Sequence, residues 1–213
     1  NGISGIDSSA ENASGIAFNS DGSKLFVANE TVDKIFEINL STEFDLSTAS
    51  YSGIYLSISD YDPAGITFSK DGTALFLIDT SDKKVVQYSL SNGFDLSSTI
   101  TVEGTFNGMK TKHEELTSTT TSTPRSLAFN GDGSKVYFTY SRYNSTSNSR
   151  VLEYDLDCPY GIVNCLNPVS GSDKDMIGVL ESYTEMSKRV MKNNIKPVMH
   201  RLEWLRRHRN EDN

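Results

Sequence analysis

Three times along the chain an apolar tetrad, an Asp-Gly turn and a second apolar run follow one another. The copies are Gly15-Ile16-Ala17-Phe18 to Leu25-Phe26-Val27-Ala28, Gly65-Ile66-Thr67-Phe68 to Leu75-Phe76-Leu77-Ile78, and Ser126-Leu127-Ala128-Phe129 to Val136-Tyr137-Phe138-Thr139. Each turn is Asp-Gly: Asp21-Gly22, Asp71-Gly72 and Asp132-Gly133. Glycine accepts the positive φ that a tight hairpin needs, and aspartate hydrogen-bonds the backbone just ahead of it. The pattern therefore predicts three hairpins, and it assigns these three aspartates to turns rather than to chemistry.

A third strand of near-alternating character follows each hairpin: Lys34 to Leu40, Lys83 to Leu90 and Arg150 to Leu156. Period two puts Ile35, Glu37 and Asn39 on one face and Phe36, Ile38 and Leu40 on the other. Matching segments then lead from Ser41 through Phe44-Asp45-Leu46 and from Ser91 through Phe94-Asp95-Leu96, with Asp45 and Asp95 read as caps or turns. A fourth strand is expected near Tyr51 to Ile58 and near Ile100 to Phe106. The unit is a four-stranded antiparallel sheet recurring after 50 and then 61 residues, the period of a propeller blade. The expected fold is all-β, with about three blades over residues 1–171 (repeats starting near 15, 65 and 126) forming an incomplete ring.

The longer second interval places eleven extra residues in Asn107 to Thr123, a polar insertion containing Lys112 and His113. The third blade also widens at Tyr140 to Ser149, where Arg142, Tyr143 and Asn144 lie among Ser and Asn. Loops of this composition suit a contact surface, and these five residues are the binding candidates. Residues 1–171 carry 11 Lys and Arg against 21 Asp and Glu. That acidic balance argues against nucleic acid, whose binders cluster cations to neutralise phosphate. No apolar run approaches the length of a membrane helix.

Cys158 and Cys165 flank Pro-Tyr-Gly-Ile-Val-Asn, a loop able to close on itself, so a disulfide and an oxidising compartment are expected; two thiols alone make no closed zinc site. Asn-x-Ser/Thr triplets stand at Asn12, Asn29, Asn39 and Asn144, frequent by chance in so Ser/Thr-rich a chain. The chain starts at Asn1 within what reads as the end of a repeat, which points to a piece of a longer exported protein.

From residue 172 the pattern changes. Met176, Val179, Leu180, Tyr183, Met186 and Val190 recur at three and four, one face of a helix over about 174–194 that Pro197 interrupts. This segment, 172–213, carries 9 Lys and Arg against 7 Asp and Glu. His200 and His208 have no convergent partners at ligand spacing, so no metal site is expected.

The repeats from Gly15-Ile16-Ala17-Phe18-Asn19-Ser20-Asp21-Gly22 through Phe44-Asp45-Leu46-Ser47 resemble the beta-propeller repeats of bacterial surface proteins, in the class that includes lactonase-like and surface-layer propellers. The tail, with Pro197-Val198-Met199-His200-Arg201-Leu202-Glu203-Trp204, resembles the helical segment joining passenger to outer-membrane barrel in autotransporter-like proteins. The resemblance implies an exported propeller, of a class that runs from sugar lactonases to binding scaffolds; with no catalytic motif in the repeats, the expectation is a non-catalytic binding or adhesion module at the cell surface, contacting a surface glycan or protein, with the tail meeting an outer-membrane barrel or a second chain. A cap on the open end of the propeller is the other reading of the tail.

Two alternatives remain in view. One is a metal-dependent lactonase-like hydrolase, for which calcium is the cofactor to consider; the other is a self-associating scaffold that completes its ring by pairing two chains. No nucleophile elbow, phosphate-binding glycine loop or paired-cysteine metal motif occurs. No catalytic residue and no cofactor is therefore assigned from the sequence.

Overall fold

The computed structural model describes residues 12–106, 122–142 and 150–163. The helical tail at 172–213 and most of the polar insertion lie outside them. Among the described residues there are eleven strands in three antiparallel sheets. The first holds β1 (Ala13–Phe18), β2 (Lys24–Asn29), β3 (Lys34–Leu40) and β4 (Ala49–Ser57) in sequential order. The second holds β5 (Pro63–Phe68), β6 (Ala74–Asp79), β7 (Lys84–Leu90) and β8 (Ile100–Phe106). The third comprises β9 (Ser122–Phe129), β10 (Lys135–Arg142) and β11 (Arg150–Asp155) among the described residues, and the place of an expected fourth strand lies outside them. One short 3₁₀ turn, Leu46–Thr48, is the helical element among the described residues.

Local sequence explains these elements. The three turn glycines have φ of 75°, 75° and 73°, in the left-handed region that a side chain disfavours. Ahead of them Asp21, Asp71 and Asp132 each accept a bond from the backbone N–H two residues on, at 2.9, 3.1 and 3.0 Å. Asp45 caps the 3₁₀ turn by accepting from Ser47 N, and Asp95 repeats the contact with Ser97.

Two boundaries depart from the expectation, both in the third sheet. β9 starts at Ser122 rather than near Ser126, and β10 runs on to Arg142, which pairs with Ser122. Arg142 therefore ends a strand and does not stand in the loop where the sequence placed it. Hydroxyl and β-branched residues on one side and Tyr140-Ser141 on the other suit a ladder. Pro124 is accommodated because the register shifts between Thr139 and Tyr140, taking Arg125 out of the pairing.

The sheets pack face against face, so the middle strands are buried on both sides. Phe26, Ala28, Ile35 and Ile58 of the first sheet share one core with Leu75, Leu77, Val86 and Tyr88 of the second. Phe76, Ile78 and Val85 on the far side of the second sheet share the next with Val136, Phe138 and Leu152 of the third. This double coverage accounts for Glu37, which alternation put beside Ile35 and which is only 2% exposed. The innermost strands β1, β5 and β9 approach closely. A Cβ on Gly15 would stand 2.3 Å from the Ala64 carbonyl oxygen, so only glycine fits there without displacement.

Candidate functional site

Along the inner strands and their turns runs a cleft of about 690 Å³. Ile16, Phe18 and Ser20 line it from the first blade, Thr67 and Lys70 with Phe94 from the second, and Ser126, Asn130 and Tyr160 from the third. Repetition places these groups: Ala17, Thr67 and Ala128 occupy one position of successive inner strands, and Ser20, Lys70 and Gly131 one position of successive turns. The strands thus present equivalent positions to the same space, and the blades differ in what they put there.

Some of the polar lining is already engaged. Asn130 accepts from Lys135 N at 2.9 Å and donates to Ser134 at 2.9 Å. Ser69 donates to Asp71 at 2.6 Å and accepts from Ala74 N at 2.9 Å. Hydrogen bonds from Ser69, and from Ser23 and Ser134 in the other blades, hold the Asp71, Asp21 and Asp132 carboxyls below their ordinary range. These acids are occupied in turns, as the sequence suggested. The side chains of Ser20, Thr67, Lys70 and Ser126 line the cleft without such structural duties among the described residues. They offer three hydroxyls and one ammonium, and no carboxylate, imidazole or thiol belongs to the described lining. The arrangement can hydrogen-bond a polar ligand and meet one negative charge; it holds no acid–base pair. Among the described residues no three His, Cys, Asp or Glu gather as a metal would require.

The loop candidates from the sequence do not join this cleft within the described structure. Lys112, His113, Tyr143 and Asn144 lie outside the described residues, and Arg142 is the last residue of β10. Ser20, Thr67, Lys70 and Ser126 were missed. Their signal lay in comparing repeats: Thr67 stands where the other copies have Ala17 and Ala128, Ser126 where they have Gly15 and Gly65, and Ser20, Lys70 and Gly131 differ at one turn position. Of the glycan triplets, Asn29 is 2% exposed and accepts from Thr31 N and Val32 N, so it is a turn residue; Asn39 lies in β3 as expected. Cys158 is not a free thiol, whereas Cys165 lies outside the described residues.

The segment around Cys158 has a further identity. Tyr160 has φ 58°, Phe44 57° and Phe94 56°, and each donates its N–H to the carbonyl of its blade's turn glycine. Their rings lie 2.2 to 2.4 Å from where a Cβ on Gly22, Gly72 or Gly133 would stand. They also pack on Phe18, Phe68 and Phe129 at centroid separations of 5.3, 5.1 and 5.0 Å. Tyr160-Gly161-Ile162 is thus the third copy of Phe44-Asp45-Leu46.

No family model and no curated protein matches the chain. Among solved structures it is similar to the periplasmic gluconolactonase of Pseudomonas aeruginosa, at 14% identity and TM-score 0.50, over 76% of this chain and 40% of that one. It is also similar to a protein from Lactobacillus plantarum, at 15% identity and TM-score 0.50, over 75% of this chain and 40% of that one. A third is the beta-propeller domain of Cps50 (Swd1) from Myceliophteria thermophila, at 12% identity and TM-score 0.46, over 76% and 44%. The chain spans about two fifths of the length of these proteins. Identity this low carries the fold alone: the described residues form propeller-like blades.

Proposed function

We propose that these blades belong to a non-catalytic binding propeller of the cell surface, and that the inner-strand cleft holds a polar ligand, either a surface glycan or a protein segment. The observation that supports this reading most is the pairing of unengaged donors with an apolar wall. Ser20, Thr67, Lys70 and Ser126 face the same space as Ile16 and Phe94, with no carboxylate or imidazole among them. Hydroxyl and ammonium donors beside apolar surface suit sugars, which offer both hydroxyls and C–H faces, and Lys70 favours an anionic one. In this reading the exported protein carries a Cys158–Cys165 disulfide, suited to an oxidising compartment. Lys112, His113, Arg142, Tyr143 and Asn144 would form a second contact region, and residues 172–213 would attach the blades to an outer-membrane barrel or a second chain.

The test is calorimetric titration with neutral and uronic-acid oligosaccharides, paired with a lactone hydrolysis assay. Binding without turnover, weakened about tenfold or more by Lys70→Ala with Thr67→Ala, is the expected result. Binding that both substitutions leave unchanged removes the cleft from the account.

The similarity to a gluconolactonase favours a second reading, a lactonase-like hydrolase; calcium is the metal that reading would call for. Its acids would have to come from outside the described lining. Hydrolysis of gluconolactone that depends on added calcium would select this reading over the first.

A further inference from the structure

Three aromatic side chains, one from each blade, stand over the turn glycines, and one of them carries a hydroxyl: Phe44 and Phe94 are matched in the third blade by Tyr160. Phe94 and Tyr160 both line the inner-strand cleft, and Phe44 is not part of its lining. Among the described residues the Tyr160 hydroxyl has no hydrogen-bond partner. Both rings are fixed from behind. The Phe94 carbonyl accepts from Lys24 Nζ at 2.9 Å, and beside Tyr160 the Ile162 and Val163 N–H groups donate to Gln87 at 3.1 and 3.2 Å. Gln87 and Ala74 hold at this second seam, between the second and third blades, the positions that Glu37 and Lys24 hold at the first. Walls held in this way lose little freedom when a ligand binds.

The cleft also holds an ammonium without a carboxylate. Among the described lysines, Lys24, Lys84 and Lys135 pair with acids, and Lys34 lies 4.2 Å from the centre of the Tyr55 ring. Lys70 lines the cleft and makes no ion pair with a described residue. This is so although acids outnumber bases by 21 to 11 over residues 1–171. Its neighbour Asp71 is turned instead to the Ser69 and Thr73 hydroxyls, at 2.6 and 2.9 Å. At the same turn position the third blade has Gly131, where a Cβ would touch nothing. The cleft therefore combines one unpaired ammonium, one unpartnered phenol and open space.

We propose that the cleft selects a sugar ring bearing a carboxylate, a uronic-acid unit of a glycan, over a protein segment; this rests on the reading of the cleft as the binding site. Lys70 meets the carboxylate, the Tyr160 hydroxyl bonds a ring hydroxyl, and the Phe94 and Tyr160 rings take the C–H faces of the sugar. One ammonium balances the single charge of a carboxylate. A phosphate, with nearly twice that charge, would call for a guanidinium fork or a further cation, and the described lining has neither. An apolar peptide side chain would suit the rings and leave Lys70 unmet. An acidic one would suit Lys70 but bring its backbone N–H and C=O groups against the rings, where they lose their partners in water. A carboxylated ring satisfies both walls in one unit, and a cleft of about 690 Å³ is of the size that encloses such ligands.

Calorimetric titration of the full chain with a galacturonic-acid oligosaccharide, and with the neutral galactose oligosaccharide of the same length and linkage, tests this. The acidic ligand should bind about tenfold tighter or more, the scale of one charge-assisted contact. Lys70→Met keeps the stem, removes the charge and should bring the two affinities together. Tyr160→Phe installs the ring already present at Phe44 and Phe94, so the fold is kept, and should weaken the acidic ligand about threefold to tenfold. Equal affinity for the two oligosaccharides, a preference that survives Lys70→Met, or indifference to Tyr160→Phe overturns the proposal, while sugar binding itself keeps the cleft reading. Tighter binding of polyglutamate than of the acidic oligosaccharide overturns it in favour of a protein segment. Failure of all three probes to bind overturns the cleft reading and this proposal with it.

Discussion

The Leu96 N–H donates to the Glu37 carboxylate at 2.9 Å, and both residues are buried in the seam between the first two blades. A carboxylate in so dry a place is tolerable because Lys24 pairs with its other oxygen at 2.7 Å. Its desolvation is offset only while both partners remain.

Replacing Glu37 by Ala strands the Leu96 N–H and takes the counter-ion from Lys24, which keeps only its bond to the Phe94 carbonyl. The expected loss is about 3 kcal/mol in urea unfolding, the usual scale for breaking a buried pair. Lys24→Ala with Glu37→Gln reproduces the Ala74 and Gln87 combination and should lose less than half as much. Equal losses for the two variants would show that the seam tolerates no neutral substitute.

Gly72 separates two effects that the turn combines. Its φ of 75° disfavours any side chain, and the Phe94 ring lies 2.2 Å from where a Cβ would stand. Gly53 has a similar φ of 80° with open space around it. Gly53→Ala should therefore cost about 1–2 kcal/mol, the strain of a left-handed alanine, and Gly72→Ala clearly more. Thermal unfolding of the two variants gives the comparison, and similar losses would mean that the ring yields freely.

Much of this fold is legible in the chain because the hairpin grammar is local. Asp21-Gly22 and its copies carry their own stereochemistry, and the strands at 34–40 and 100–106 follow from alternation. What the reading missed depends on neighbours in space. Alternation places Glu37 on one face with Ile35 and Asn39, but nothing local shows that a second blade covers that side. Leu46, Leu96 and Ile162 occupy equivalent positions, yet only the packing reveals that the last two are buried and the first is not. Tyr160 escaped alignment because the third copy replaces the Asp45 and Asp95 position with Gly161 and adds cysteine. Arg142 read as loop because its strand partner, Ser122, was hidden in a low-complexity run. The cleft residues Thr67 and Lys70 are visible only once inner strands from separate repeats are set side by side.

Acid should weaken the blades through their turns. Serine hydroxyls and backbone N–H groups hold the Asp21, Asp71 and Asp132 carboxyls below the ordinary value of 3.8. A lowered folded-state value means that their contribution is present at neutral pH and is lost as pH falls through that value. Urea midpoints should be level from neutral pH to about 5 and drop below about 4. Asp71→Asn, which removes one titrating turn, should give a shallower drop; an unchanged slope would assign the acid sensitivity to other groups.

The Cys158 to Cys165 loop joins a covalent question to a packing one. Tyr160 and Ile162 lie inside it, Tyr160 over Gly133 and Ile162 fully buried against the second blade. Closing a loop of eight residues restricts the unfolded chain and stabilises the folded one by about 2–3 kcal/mol. The chain purified without reductant should show no reactive thiol under denaturing conditions. Reduction should lower the unfolding midpoint, and Cys165→Ser should lower it by a similar amount. Because Ile162 and Val163 donate to Gln87, the loosened loop should also expose the second seam, seen as faster amide exchange at Ile162 and Val163 than at Leu96. Two reactive thiols in the unreduced protein would remove the disulfide, and with it the main argument for an oxidising compartment.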